Sequence, residues 1–279
     1  MRGVRKWSES SIKKRIKSGL GVGHGSAYKS AIRVQDLSSS APQTRLPMLG
    51  RVAHLHSGLE RALALVKQFE SDLVEYRDQQ PMDRAVTLGI AAQLGIRHPL
   101  YPGTNTPVVM TLDAVVHERG PDGCILATAY DVKPHEALRD ERTLEKLSIH
   151  RAYCAQVGMP HVLFTEQSLP GHSLQNLDNI RKSCPKQDEV LAVPNLFDSH
   201  RRWMVSELAE GADDGSILEY CRSYAVRFNI AVAQALRLFQ YLVWTHCVRI
   251  DLSMFKPFTQ PLPRPQTVKL VDRFGECLA

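Results

Sequence analysis

The stretch VVMTLDAVVHERGPDGCILATAYDVK, residues 108–133, decides the fold of the central part of this chain. Two segments rich in apolar and β-branched residues, Val108–His117 and Cys124–Val132, favour strands. Between them, Pro121-Asp122-Gly123 is a strong turn signal. Because the connection is short, we expect the two strands to pair as a hairpin.

Charged side chains lie at unusual positions of this hairpin. Asp113 stands between apolar neighbours in the first strand, where an unpaired carboxylate is costly. The second strand ends in the triplet Asp131-Val132-Lys133. In a strand, the first and third side chains of such a triplet point to the same face. Charges at these points need partners, and a bound metal is one answer.

These residue types suit the hydrolysis of a phosphodiester. Mg²⁺ prefers hard oxygen ligands, and it both neutralises phosphate charge and lowers the pKa of a bound water. The predicted metal ligands are Glu60, Asp113, Asp131 and the carbonyl of Val132. Lys133 could orient the attacking water or stabilise the charge that develops on the phosphate. The predicted catalytic residues are Glu60, Asp113, Asp131 and Lys133, with Mg²⁺ as the cofactor and Mn²⁺ able to substitute.

Less specific explanations of the same residues remain open. Acid-x-lysine triplets are common, and most are solvated positions or surface ion pairs, so an Asp–Lys salt bridge without metal is the alternative. The glycines at 19, 21, 23 and 25 superficially suggest a phosphate-binding loop. Their spacing does not match the dinucleotide fingerprint, however, and no strand precedes them.

The residues around the hairpin predict helices and further strands. Ser57 is a candidate N-cap for the helix that carries Glu60. The other predicted elements are a strand at Leu73–Arg77, helices at Met82–Leu94 and Leu138–Val157, and a strand at His161–Thr165. Helices and strands in this order predict an α/β fold, a mixed sheet flanked by helices.

Composition changes after Thr165, which places a domain boundary near Glu166–Pro170. The elements predicted beyond it are helices at Asp198–Glu210, Ser216–Tyr224 and Asn229–Gln240 and short strands at Tyr241–His246 and Cys247–Leu252. Helices followed by a two-stranded hairpin are typical of a winged helix. The predicted domains are a basic segment at 1–50, a catalytic domain at 51–167, and a mainly helical, winged-helix-like domain with a tail at 168–279.

Charge is distributed unevenly along the 279 residues. The net charge is +6, and residues 1–50 hold ten Lys or Arg against only Glu9 and Asp36. A short basic helix is predicted at about Ser10–Ser18, within an otherwise irregular segment. Such a segment favours a polyanionic partner such as DNA, although charge alone is a weak argument.

The six cysteines lie far apart and form no C-x-x-C pair, which makes a zinc site unexpected. No apolar run approaches the roughly 20 residues that cross a bilayer. We therefore expect reduced thiols, a cytoplasmic protein and no membrane partner.

At this point the motifs match a known family. The chain resembles TnsA, the restriction-endonuclease-like subunit of heteromeric cut-and-paste transposases. The similarity is collinear over about residues 10–165. The matching residues are 15–25 with Tyr28, 57–60, Asp78, 98–99, 111–113, 132–134 and 137–147.

The resemblance implies an active site with a helix glutamate (Glu60), a strand aspartate (Asp113) and a lysine (Lys133). In that family a glutamine precedes the Val-Lys pair, whereas Asp131 stands here, and we expect the added charge to strengthen metal binding. The resemblance also implies partners: double-stranded DNA at transposon ends, a DDE transposase (TnsB-like) and an AAA+ regulator (TnsC-like). It implies cleavage of the 5′ strands, in a bacterial cytoplasm and at the nucleoid when active.

Three functions follow from these observations. The first is a Mg²⁺-dependent endonuclease acting inside a transposase complex. The second is a stand-alone repair or restriction nuclease on the same fold. The third is a non-catalytic DNA-binding or scaffold protein.

Overall fold

The computed structural model describes residues 8–36, 43–186, 189–190, 193, 196–212 and 215–278. The chain divides into two compact units between Ser168 and Leu169. No helix in the described ranges is long and apolar enough to span a bilayer.

The first unit is a mixed α/β unit, as the sequence predicted. Its main elements are α1 (Glu9–Lys17), β1 (Thr44–Met48), β2 (Arg51–Leu55), α2 (Gly58–Glu70), β3 (Leu73–Pro81), α3 (Arg84–Gln93), β4 (Thr111–Arg119), β5 (Ile125–Val132), α4 (Glu141–Gln156) and β6 (His161–Phe164). Four strands form a sheet in the order β3-β4-β5-β6. The first three are antiparallel, and β6 runs parallel to β5.

The predicted hairpin forms the middle of this sheet. Strands β4 and β5 pair from Arg119↔Ile125 to Ala114↔Tyr130. The ladder between β4 and β5 ends at that last pair, so Asp113 lies one residue beyond the part of β4 that pairs with β5. Polar groups at the end of a ladder are free to bond to side chains instead of to a neighbouring strand.

One layer of the core lies between the sheet and helices α3 and α4. Its buried members include Leu112, Val115 and Ala129 from the sheet, Ile90 from α3, and Ile149 from α4. Burying apolar side chains of this size contributes about 1.5–3 kcal/mol each. This layer fixes the positions of β4, which carries Asp113, and of β5, which ends one residue before Lys133.

The sequence did not predict the hairpin that precedes α2. Strands β1 and β2 pair with each other and form a separate two-stranded sheet. Residues 44–48 were expected to be irregular. The short basic helix of the same segment does form, as α1, and buries Ile12.

The glycine-rich segment is shaped by packing. Gly21 and Gly23 have φ of +79° and +107°, a region that favours glycine. A Cβ on Gly21 would collide with the ring of Pro81 at the end of β3, and one on Gly23 would meet the backbone of Ala27. These contacts explain both glycines without a bound phosphate.

The second unit is helical. Its main elements are α5 (Ser173–Ser183), α6 (Arg201–Glu210), α7 (Ile217–Arg227) and α8 (Val232–Trp244). The two predicted strands are wrong: residues 241–244 are the last turn of α8, and residues 245–252 form turns, bends and irregular backbone. The winged-helix arrangement is therefore not confirmed.

Candidate active site

Glu60 is placed by the start of α2. Ser57 is the N-cap of this helix, and its Oγ accepts a hydrogen bond from the Glu60 backbone N–H at 3.1 Å. The glutamate side chain turns back towards the start of the helix and accepts from His56 N (3.0 Å) and Ser57 Oγ (3.2 Å). Only 6% of Glu60 is exposed. The sequence pattern of a helix cap thus buries a carboxylate beside the sheet.

Asp113 binds the end of the neighbouring strand. Its Oδ2 accepts hydrogen bonds from the Val132 backbone N–H at 2.8 Å and from Lys133 Nζ at 2.7 Å. Lys133 Nζ also donates to the Val132 carbonyl at 3.0 Å. Both of these bonds to the carboxylate use the same oxygen, Oδ2. The arrangement gathers a carboxylate, an ammonium and a carbonyl within hydrogen-bond distance.

The two acidic groups interact electrostatically. Burial raises the pKa of Glu60 to about 7, and repulsion from the Asp113 carboxylate adds to this effect. Burial alone would lower the pKa of Lys133, but the adjacent Asp113 carboxylate outweighs it and the pKa is raised. The site therefore holds a lysine that keeps its charge beside a glutamate whose ionisation is opposed by burial and by a neighbouring carboxylate.

Asp131 has different contacts from those expected. The residue is completely buried (0% exposed), and both carboxylate oxygens lie 2.8 Å from His150 Nδ1 on α4. Its Oδ2 also lies 2.8 Å from His161 Nε2 at the start of β6. Despite burial, these hydrogen bonds hold the pKa of Asp131 well below its usual range. Both oxygens of this carboxylate thus have a histidine partner.

The structure therefore brings the four predicted residues into two groups. Glu60, Asp113 and Lys133 interact with one another, whereas Asp131 is bound by two histidines. Within the described ranges, no three His, Cys, Asp or Glu side chains are arranged to hold a metal ion. The set of three carboxylate ligands expected from the sequence therefore stays a prediction.

The smaller set nevertheless suits a divalent cation. Glu60 and Asp113 supply carboxylate oxygens, and Val132 supplies a carbonyl, which are the hard ligands that Mg²⁺ prefers. Mg²⁺ commonly uses only one or two carboxylates, with water and substrate completing its coordination. A bound cation would also offset the two effects that raise the pKa of Glu60, which are burial and repulsion from Asp113. The donor set therefore fits the metal predicted from the sequence.

Sequence reasoning missed several residues of this region. His150 and His161 contact Asp131 from two other elements, and no spacing rule connects them with it. Gln79 on β3 donates from Nε2 to Glu60 Oε2 at 3.4 Å. The sequence offered one signal for these contacts, the single histidine of α4, His150. A lone histidine in a helix is more often a core residue than a functional one.

Asp78, one of the residues that carry the family resemblance, has a structural position. It is completely buried, and its carboxylate forms an ion pair with Arg51. It also accepts from the His54 backbone N–H at 2.8 Å and from the Ser30 hydroxyl. Tyr28 donates to the Asp78 carbonyl at 3.0 Å. Asp78 thus fixes the N-terminal segment and β2 to β3.

Comparison with known proteins identifies the family of this chain. Residues 70–166 match the family model described as the TnsA-like endonuclease N terminal. The chain is also 31% identical over 232 residues to the transposon Tn7 transposition protein TnsA of Escherichia coli. That alignment covers 82% of this chain and 81% of the Tn7 protein. A match of this identity and extent shows that the chain belongs to the TnsA-like family of endonucleases.

Proposed function

We propose that this protein is a Mg²⁺-dependent DNA endonuclease that cleaves the 5′ strands at transposon ends. It acts there with a DDE transposase and an AAA+ regulator. Family membership supports endonuclease chemistry, and the relative from Escherichia coli is named as a transposition protein. The observation that carries the proposal is the contact of Asp113 with both Val132 N and Lys133 Nζ, beside the buried Glu60.

Each residue of this group has a distinct task in phosphodiester hydrolysis. The cation, when bound, would neutralise the scissile phosphate and lower the pKa of a water. Glu60, Asp113 and the Val132 carbonyl would hold it. Lys133 keeps its proton because Asp113 raises its pKa, so its ammonium can stabilise the negative charge that develops on the phosphate. The 2.7 Å bond to Asp113 also fixes where that ammonium lies.

We assign Asp131 a positioning role in place of the ligand role predicted from the sequence. Its contacts with His150 and His161 connect β5 to α4 and β6. Val132 and Lys133 follow Asp131 directly in the chain, so these contacts determine where the strand end lies. Asp131, which stands where the family has a glutamine, would then hold the end of β5 through its contacts with the two histidines.

DNA contact is proposed for the basic helix α1. Lys13, Lys14 and Lys17, here called the α1 lysines, are exposed, while Ile12 is buried and anchors the helix. Arg84 on α3 forms an ion pair with Glu9 at 2.7 Å and holds the same helix. Exposed lysines on an anchored helix suit phosphate contacts, which position DNA without reading its sequence.

Strand-specific mapping of donor DNA breaks tests the proposal. Wild type and Lys133→Ala are compared with the candidate partner proteins present. We expect Lys133→Ala to abolish the 5′ breaks while partner binding and the 3′ breaks persist. Lys146→Ala, an exposed lysine of α4, is the matched control and should cut normally.

The same experiment separates the alternatives. Retained 5′ cleavage by Lys133→Ala would refute the assigned active site. Robust cleavage by the purified chain without partners would instead favour a stand-alone nuclease. Salt-dependent DNA binding without cleavage under any condition would favour a scaffold.

A further inference from the structure

Gln79 has an unusual backbone for its position. Its φ is +51°, in the left-handed region, although it lies inside strand β3. The other described non-glycine residues with positive φ are Leu49, Asn229 and His246, and none of them lies within a helix or strand. A left-handed conformation of this kind costs about 1 kcal/mol or more, and it persists only where the surroundings enforce it.

Both ends of the Gln79 amide have partners in the active-site region. Nε2 donates to Glu60 Oε2 at 3.4 Å, and Oε1 accepts from the Thr111 hydroxyl at 3.0 Å. Thr111 begins β4, two residues before Asp113. The side chain is buried, with only 5% of the residue exposed. The amide thus connects the helix that carries Glu60 with the strand that carries Asp113.

The register of the sheet places Gln79 opposite the other acid. Asp78 pairs with Ala114 and Gln80 pairs with Leu112, so Gln79 lies across from Asp113. In a regular strand, successive side chains alternate between the faces of the sheet. The positive φ interrupts this alternation at the one residue whose amide contacts Glu60.

A neutral donor suits this location better than a charged one. An arginine or lysine at position 79 would neutralise Glu60 and reduce its attraction for a cation. The amide orients the carboxylate without cancelling its charge. Tyr76, three residues earlier on β3, is another buried neutral donor, and its hydroxyl has no hydrogen-bond partner among the described residues.

We infer that Gln79 is a positioning residue that holds the Glu60 carboxylate ready for a divalent cation, with Thr111 fixing the far end of the amide. This inference rests on the proposed function, because it assumes that Glu60 is a metal ligand. The left-handed backbone conformation of Gln79 in β3 serves the same task.

Mn²⁺ binding to the metal-free protein, measured by calorimetry, tests the inference without relying on cleavage. Gln79→Met keeps the side-chain length and removes both hydrogen bonds of the amide. We expect it to weaken Mn²⁺ binding about fivefold, the size of effect given by one modest hydrogen bond. Thr111→Val should weaken binding about twofold, because it frees only one end of the amide.

Two controls make the result specific. Gln80→Met applies the same substitution one residue along the strand, where the amide contacts only the Pro81 carbonyl, and should bind Mn²⁺ as wild type does. Urea midpoints of all variants show whether a loss reflects unfolding. If Gln79→Met does not fold, Thr111→Val carries the test.

The outcomes distinguish this inference from the proposed function. Wild-type Mn²⁺ affinity in Gln79→Met, or in Thr111→Val where that variant carries the test, would overturn the positioning role alone. An equal loss in Gln80→Met would do the same, because it would indicate a general distortion of β3. Failure of the wild-type protein to bind Mn²⁺ would overturn the proposed metal site itself.

Discussion

Replacing Glu60 by glutamine should change how the stability of the metal-free protein depends on pH. In the folded protein the pKa of Glu60 is raised from 4.5 to about 7, because of burial and then repulsion from Asp113. Between these two values the folded state binds more protons than the unfolded state. The contribution of Glu60 to the free energy of unfolding is therefore complete below about pH 4.5, and it is lost as the pH rises through about 7. A glutamine at this position does not titrate.

The expected magnitude follows from the same pKa values. A rise from 4.5 to about 7 corresponds to about 3 kcal/mol of unfolding free energy. Wild type should lose about that much more stability than Glu60→Gln between pH 4 and pH 8. Added Mg²⁺ should remove most of the difference, because the cation stabilises the ionised carboxylate in the folded state.

Hydrogen exchange of the β4 and β5 amides is a suitable assay. It reports opening of the first unit separately from the helical unit, where a single unfolding transition need not. Glu136→Gln serves as the control, because it changes an exposed glutamate three residues after Lys133. Superimposable pH profiles for wild type and Glu60→Gln in the absence of metal would refute the account of this carboxylate.

Three further predictions concern other parts of the first unit. His150→Leu should destabilise the protein by about 3 kcal/mol in urea denaturation near pH 7, because it leaves the buried Asp131 with one histidine; an unchanged midpoint would contradict the network. Arg51→Met should cost about 3–5 kcal/mol by removing the partner of the fully buried Asp78, and normal thermal stability would argue against that ion pair. Replacing the α1 lysines by alanine should reduce the slope of log K against log salt for duplex DNA by up to about 3, whereas an unchanged slope would place the DNA elsewhere.

Much of the first unit could be predicted because its signals are local. Pro121-Asp122-Gly123 fixes the turn between β4 and β5, and Ser57 fixes the start of α2. The contact between Asp113 and Lys133 follows from pairing these two strands. A short loop and a helix cap depend on a few neighbouring residues, so the sequence alone indicates them.

The environment of Asp131 could not be predicted in this way. Its partners, His150 and His161, come from a helix and a strand 19 and 30 residues away. The strand period predicts that the Asp131 and Lys133 side chains point to the same face, but it does not show which residues pack there. The same limit applies to Gln79, since no local pattern predicts a positive φ inside a strand.

The end of α8 shows how residue preference can mislead. Tyr241, Val243 and Trp244 favour strands by residue type, which led to the predicted winged-helix hairpin. The structure continues the helix through Trp244, because Leu238 and Leu242 repeat at helical spacing and are completely buried. Burial of one helix face outweighs the weaker preference of individual residues.

A crystal of the protein soaked in Mn²⁺ and measured for anomalous scattering tests the central claim most directly. The account predicts a metal peak bounded by Glu60, Asp113 and the Val132 carbonyl, with Asp131 still bonded to its two histidines. A peak at Asp131, His150 and His161 with none beside Glu60 would contradict it.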